Sequence, residues 1–175
     1  MEVFLILKSK KTIIVISFLI LFFISCASLY VKPTIEATLF RQELPGNAGI
    51  IFKTALKLLP LIGYKIEGSN PDSGTITTKP VEMKISPQDC DCGNAFGLPV
   101  IKNEGTNAKV YFILGISDNE MTVKADIEPE LKDLMATLAA AGFTVTCVSK
   151  GKLEEVFAKK FVENIKTKAL QMIFK

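Results

Sequence analysis

Residues 108–127 read AKVYFILGISDNEMTVKADI. Ala108, Val110, Phe112, Leu114 and Ile116 alternate with other residues, Ser117-Asp-Asn-Glu120 turns the chain, and Met121, Val123, Ala125 and Ile127 alternate back. A period of two puts each set on one face of a strand, so this stretch predicts a β-hairpin with one apolar face. A sheet of that kind must bury its apolar face against another layer.

The flanking sequence offers that layer. Upstream, Ile51, Phe52, Ala55, Leu59 and Ile62 fall at helical spacing behind Asn47, a favourable N-cap, with Lys53 and Lys57 off the stripe. Pro60 is expected to end or kink this helix near Leu59, and Gly63 to stop it. Tyr64–Glu67 and Thr75–Thr78, joined by GSNPDSG, predict a second hairpin, and Val81, Met83 and Ile85 a further strand. Downstream, Leu131, Leu134, Met135 and Leu138 predict a short helix from Pro129 to Gly142, and residues 143–148 a last strand. A long closing helix over Lys152 to Phe174 is expected to bury Leu153, Val156, Phe157, Phe161, Ile165, Ala169 and Met172, with Glu154, Glu155, Lys159, Glu163, Lys166 and Lys168 in solvent. The fold class that follows is α+β, an antiparallel sheet with helices packed on one face.

Charge and composition exclude several functions. The net charge is +3 over 175 residues, and Glu2, Lys8, Lys10 and Lys11 carry +2 of it, leaving 18 basic and 17 acidic residues in the body. A balanced body lacks the basic stripe that nucleic-acid binding needs. Histidine is absent, which removes imidazole-based triads and imidazole metal sites. Asp72, Asp89, Asp91 and Asp118 fall in turns, where aspartate serves local hydrogen bonding, so no catalytic set, cofactor site or metal site is expected.

The amino end is of a different kind. Lys8-Ser-Lys-Lys11 precedes TIIVISFLILFFI, Thr12 to Ile24, broken only by Ser17. A basic flank, an apolar run of roughly 7–15 residues and small residues beyond it mark a secretory signal. A spanning helix needs about 20 apolar residues, more than this run offers. Phe23-Ile24-Ser25-Cys26 resembles a bacterial lipobox, although Phe23 stands where leucine is usual. The resemblance implies a signal helix over 1–25, cleavage before Cys26, and a diacylglyceryl group plus an N-acyl chain on that cysteine. Several chains together give stable membrane attachment where one does not. Ala27, in place of aspartate, would direct such a protein to the outer membrane. The domain plan is then a signal peptide over 1–25, a lipid-anchored tether over 26–46 containing a short alternating stretch at Ile35, Ala37 and Leu39, and one α+β domain over 47–175.

With Cys26 lipidated, Cys90, Cys92 and Cys147 remain in an oxidising compartment, where a disulfide is the default. Cys90 and Cys92 do not easily bridge to each other, so Cys147 is the natural partner of one of them. A redox C-x-C or a metal site is the sharper alternative, and zinc would lack a full soft ligand set here.

Leu61-Ile-Gly-Tyr-Lys-Ile66 followed by Asp72-Ser-Gly-Thr-Ile-Thr-Thr78, with Asp91-Cys-Gly93 and Cys147-Val-Ser-Lys-Gly-Lys-Leu-Glu154, is similar to small uncharacterised bacterial lipoproteins whose body looks like the helix-grip modules of BamC, a lipoprotein of the barrel-assembly machinery. The resemblance implies a helix-grip-like fold, a periplasm-facing envelope location, and Cys92 rather than Cys90 as the partner of Cys147. The expected function is a non-enzymatic module that binds another envelope protein. The other reading is a carrier or sensor of an apolar ligand held between helix and sheet, lined by Phe52, Phe112, Phe143, Phe157 and Phe161; the plain alternative is that these rings fill the core.

Overall fold

A computed structural model describes residues 30–44, 46–101 and 105–173. The signal helix over 1–25 and Cys26 lie outside the described residues, as do the side chains of Lys166, Lys168, Ala169 and Met172. In chain order the elements are β1 (Tyr30–Val31), β2 (Phe40–Glu43), α1 (Ala48–Leu61), β3 (Ile66–Asn70), β4 (Thr75–Thr78), β5 (Val81–Ile85), β6 (Cys90–Asp91), β7 (Asn94–Ala95), β8 (Leu98–Pro99), β9 (Thr106–Ser117), β10 (Glu120–Pro129), α2 (Lys132–Ala140), β11 (Cys147–Ser149) and α3 (Lys152–Ile173). The class is α+β, a mainly antiparallel sheet with three helices among the described residues.

The expected central hairpin is the spine. β9 and β10 pair in unbroken register from Ser117↔Glu120 to Ala108↔Pro129. Short strands flank this spine end to end. On the β9 edge, β4 pairs with Ile113–Gly115 and β5 with Thr106–Val110. On the β10 edge, β2 pairs with Glu120–Val123 and β11 with Asp126–Ile127. β3 adds outside β4 and β6 outside β11, while β1, β7 and β8 form a separate small sheet.

Alternation gives the spine its buried face: Ala108, Val110, Phe112, Leu114 and Ile116 on β9, and Met121, Val123, Ala125 and Ile127 on β10. α1 and α3 cover it. Phe112 stacks on Phe157 of α3 at 4.4 Å between centroids, and Tyr64 meets both rings edge-on at 5.5 and 4.7 Å. Leu58 and Leu59 of α1 and Phe161 of α3 complete this layer.

The Asn47 side chain accepts from the Ile50 N–H at 2.9 Å and caps α1 as expected. Several boundaries differ from the sequence reading. α1 continues past Leu59 through Pro60 to Leu61, with the proline inside its last turn. Pro129 is the last residue of β10, not the first turn of a helix; α2 begins at Lys132. Of residues 143–148 only Cys147 and Val148 are in a strand. Two strands lie inside the stretch 26–46 read as a tether, so the folded body includes Tyr30–Val31 and Phe40–Glu43, and the second of these strands starts at Phe40 rather than at Ile35. On α3, Phe157 and Phe161 are buried and Leu153 and Ile165 pack against the core as expected, whereas Val156 is exposed and Glu154 and Ala158 are buried.

Buried Glu154 has a structural reason. Between β2, whose pairing ends at Val123, and β11, whose pairing begins at Asp126, the β10 edge has a seam. There the Ala125 N–H has no strand to meet, and it donates to Glu154 Oε1 at 3.0 Å. The opposite edge has its own seam between β4 and β5, where the Phe112 N–H donates to buried Thr78 Oγ1 at 3.0 Å. Phe112 and Ala125 are register partners, so both seams lie at one level of the sheet. A buried N–H left without a partner costs roughly 1–3 kcal/mol, which is the penalty these two side chains remove.

Candidate functional site

The densest constellation of polar and sulfur chemistry lies where β6 meets β11. β6 pairs Cys90 with Ser149 and Asp91 with Val148. One step further along the same ladder, Cys92 stands opposite Cys147, their Cα atoms 4.0 Å apart, and the two are joined in a disulfide. The register therefore selects Cys92, as the family resemblance implied, and turns Cys90 toward Ser149. Cys90 is a free, buried thiol.

Local chemistry explains the Asp-Cys-Gly sequence around the bridge. Asp91 Oδ1 accepts from the Gly93 N–H at 2.8 Å, an Asx turn that bends the chain after Cys92. Gly93 has φ +74, and a side chain there would overlap the Val31 carbonyl oxygen, so only glycine fits between the bridge and β1. Tyr30 of β1 reaches in from the other side. Its hydroxyl accepts from the Thr146 N–H at 3.1 Å and lies 3.1 Å from the Cys92 carbonyl and 3.2 Å from that of Thr146, donating to one at a time. β1 is thus fastened to both arms of the disulfide.

Charge reinforces the staple. Asp89 accepts from the Ser86 N–H at 2.8 Å and the Ser86 hydroxyl at 2.7 Å, and pairs with Lys152 at 3.2 Å. Burial pushes its carboxyl up, but the hydrogen bonds from Ser86 and the charge of Lys152 outweigh this and hold it below the usual aspartate range. The Lys150 ammonium donates to the Pro87 carbonyl at 2.6 Å. Ser149 donates to Glu154 Oε2 at 2.6 Å and accepts from the Gly151 N–H at 3.2 Å, linking the β6–β11 ladder to the seam on β10.

These groups hold one another across the β6–β11 ladder. Among the described residues no three Cys, Asp or Glu side chains converge as metal ligands. Asp72 and Asp118 sit in the exposed turns of the two hairpins, far along the chain from this cluster. The five phenylalanines divide: Phe112, Phe157 and Phe161 are fully buried, Phe52 lies in α1 against the same layer, and Phe143 meets Tyr30 edge-on at 6.4 Å. Tyr30, Ser149 and Glu154 escape a sequence reading, because each acts through partners that only the fold brings near.

The thiol of Cys90 gives a pH-dependent prediction. Burial, followed by the charge of Asp89, pushes it up to about 11 from 9.0, against the opposing pull of Lys150. Between those values the unfolded chain loses a proton that the folded protein keeps. The contribution of Cys90 to stability is therefore flat below pH 9 and falls as pH rises toward 11, by up to about 3 kcal/mol. Urea unfolding across that window shows the decline in the wild type and a flatter profile in Cys90→Ala; identical profiles would refute it.

No protein-family model matches the chain, and no curated protein matches it. Among solved structures it is similar to a TBP-like protein from Parabacteroides distasonis ATCC 8503, at 19% identity and a TM-score of 0.31, over 51% of this chain and 53% of that one. The chain thus spans about half the length of that protein, a likeness too slight to bear on fold or site. Among the described residues no helix is long and apolar enough to cross a membrane.

Proposed function

We propose that the chain is a non-enzymatic lipoprotein of the bacterial cell envelope, attached at the outer membrane through acylated Cys26, whose helix-grip-like body faces the periplasm and binds another envelope protein. The disulfide supports an oxidising compartment. The observation that carries the binding reading is the uncovered side of the sheet. Apart from Ile113 and Gly115, the spine residues on that side are polar, and two pairs are linked, Tyr111 to Glu128 at 3.1 Å and Lys124 to Asp126 at 2.7 Å. Among the described residues β2 and β5 pair with the spine on one side only, leaving edges to which an extended segment can add. The aromatic stack between sheet and α3 favours this reading over a ligand carrier, since rings 4.4 Å apart leave no space between them.

A photo-crosslinking residue in place of Tyr111 or Glu82, in the full chain within its native envelope, is expected to give one discrete protein adduct that is absent when the probe replaces Lys53 on α1. A co-purified lipid with no adduct at either site would overturn the binding reading. The mass of the amino-terminal peptide tests the anchor: acyl groups on Cys26 and loss of membrane retention in Cys26→Ser are expected, and an unmodified wild-type terminus overturns it.

A further inference from the structure

The small sheet β1–β7–β8 carries an unusual distribution of apolar side chains. β7 and β8 are joined by the two-residue turn Phe96-Gly97, in which both residues have positive φ, 53 and 75. Such a turn is the natural place for Asn-Gly or Gly-Gly. A phenylalanine in the left-handed region is an outlier for a bulky residue. Burial does not compensate it, because Phe96 is 54% exposed.

Phe96 is not isolated. Residues opposite one another in an antiparallel pair share a face, so the register puts Tyr30, Ala95 and Leu98 on one side of the small sheet and Val31, Asn94 and Pro99 on the other. Leu98 is 52% exposed on the first side, Val31 49% exposed on the second, and Phe96 stands at the tip between them. A flat docking surface would concentrate its apolar residues on one face. Apolar groups on both faces and at the tip suit a wedge that enters an apolar medium.

The direction of the chain identifies that medium. β1 runs antiparallel to β7 with Tyr30 opposite Ala95, so the amino end of β1 lies beside the Phe96-Gly97 turn. The four residue steps from Cys26 to Tyr30 span at most about 14 Å. Tyr30 itself is fixed to the disulfide arms, so the small sheet stays close to the anchor point. We infer that the β7–β8 turn inserts Phe96, flanked by Leu98 and Val31, into the interfacial zone of the phospholipid bilayer to which Cys26 is attached, and so sets the orientation of the body on the membrane. This rests on the reading of Cys26 as the lipid attachment point.

The chain has no tryptophan, so Phe96→Trp provides a single indole at the tip that keeps a large aromatic side chain. The full chain, purified from membranes and reconstituted in vesicles of phosphatidylethanolamine and phosphatidylglycerol, is expected to show blue-shifted emission. It should lose most of that emission to lipids brominated about 5–10 Å below the headgroup boundary. Tyr111→Trp, on the outer sheet face, is expected to keep a solvent-like, unquenched spectrum. If the amino-terminal mass shows acylated Cys26 and the residue 96 indole is not quenched, the inference fails while the anchor stands. Quenching in a chain with unmodified Cys26 supports insertion and removes the anchor reading, and absence of both overturns both.

Discussion

Cys147→Ala and Cys92→Ala are each expected to lower folding stability by about 4 kcal/mol, and the double variant by the same amount. The bridge closes a loop of 55 residues, and in the chain-entropy description a crosslink of that span removes about 4 kcal/mol of freedom from the unfolded chain. Against a typical domain stability of roughly 5–15 kcal/mol, this is a large fraction of the whole. Cys90→Ala, which removes a buried thiol but no crosslink, should cost only about 1 kcal/mol. The contrast is informative because Cys90 stands opposite Ser149, two positions from Cys147 along the ladder. A one-residue slip would turn every side chain of β6 to the other face, and a two-residue slip would break the Asp91 turn and the Gly93 fit, so Cys90 does not take over when Cys92 is lost. Urea unfolding combined with thiol counting reads this directly. Equal losses in Cys90→Ala and Cys92→Ala would show that the pairing is wrong, and three free thiols beyond Cys26 in the oxidised wild type would show that there is no bridge.

The parts of this fold that the sequence displays are those in which one periodicity lasts long enough to dominate. β9 and β10 alternate over their full lengths, and the buried set is the alternating set. The helix α1 shows its stripe and its Asn47 cap for the same reason. The strands β6, β7 and β8 are two residues each, too short to carry a period, and they hide in a Gly/Pro-punctuated segment. Tyr30 stood in a stretch read as a tether, since its partners Cys92 and Thr146 lie 62 and 116 residues away. The cysteines were legible as a disulfide framework, but the residue-only reading left two pairings open, and the ladder between β6 and β11 provides the distinction. On α3 the stripe through Leu153, Phe157, Phe161 and Ile165 is legible, but Glu154 is not, because glutamate is ordinarily solvated and only the seam on β10 makes its burial favourable.

Glu154→Ala is expected to be the other severe substitution, costing about 3 kcal/mol: it leaves the Ala125 N–H and the Ser149 hydroxyl without their acceptor and opens a void beside Phe157 and Ala158. A fully buried carboxylate is usually a liability, since desolvation offsets what its partners return. Here it accepts two hydrogen bonds and sits in the first turn of α3, where the helix dipole favours negative charge. Glu154→Gln keeps the shape and one acceptor oxygen, so it should lose only about half as much. Glu155→Ala is the control on the same turn: its partner Lys159 is exposed, and such a pair contributes about 0.3–0.5 kcal/mol. Hydrogen exchange separates a seam from general destabilisation. The Ala125 amide should exchange faster in Glu154→Ala, beyond the change in global stability, and unchanged in Glu155→Ala. Thr78→Val should do the same to the Phe112 amide on the opposite edge. Protection of Ala125 that survives Glu154→Ala would mean that the break between β2 and β11 is closed by something other than this carboxylate.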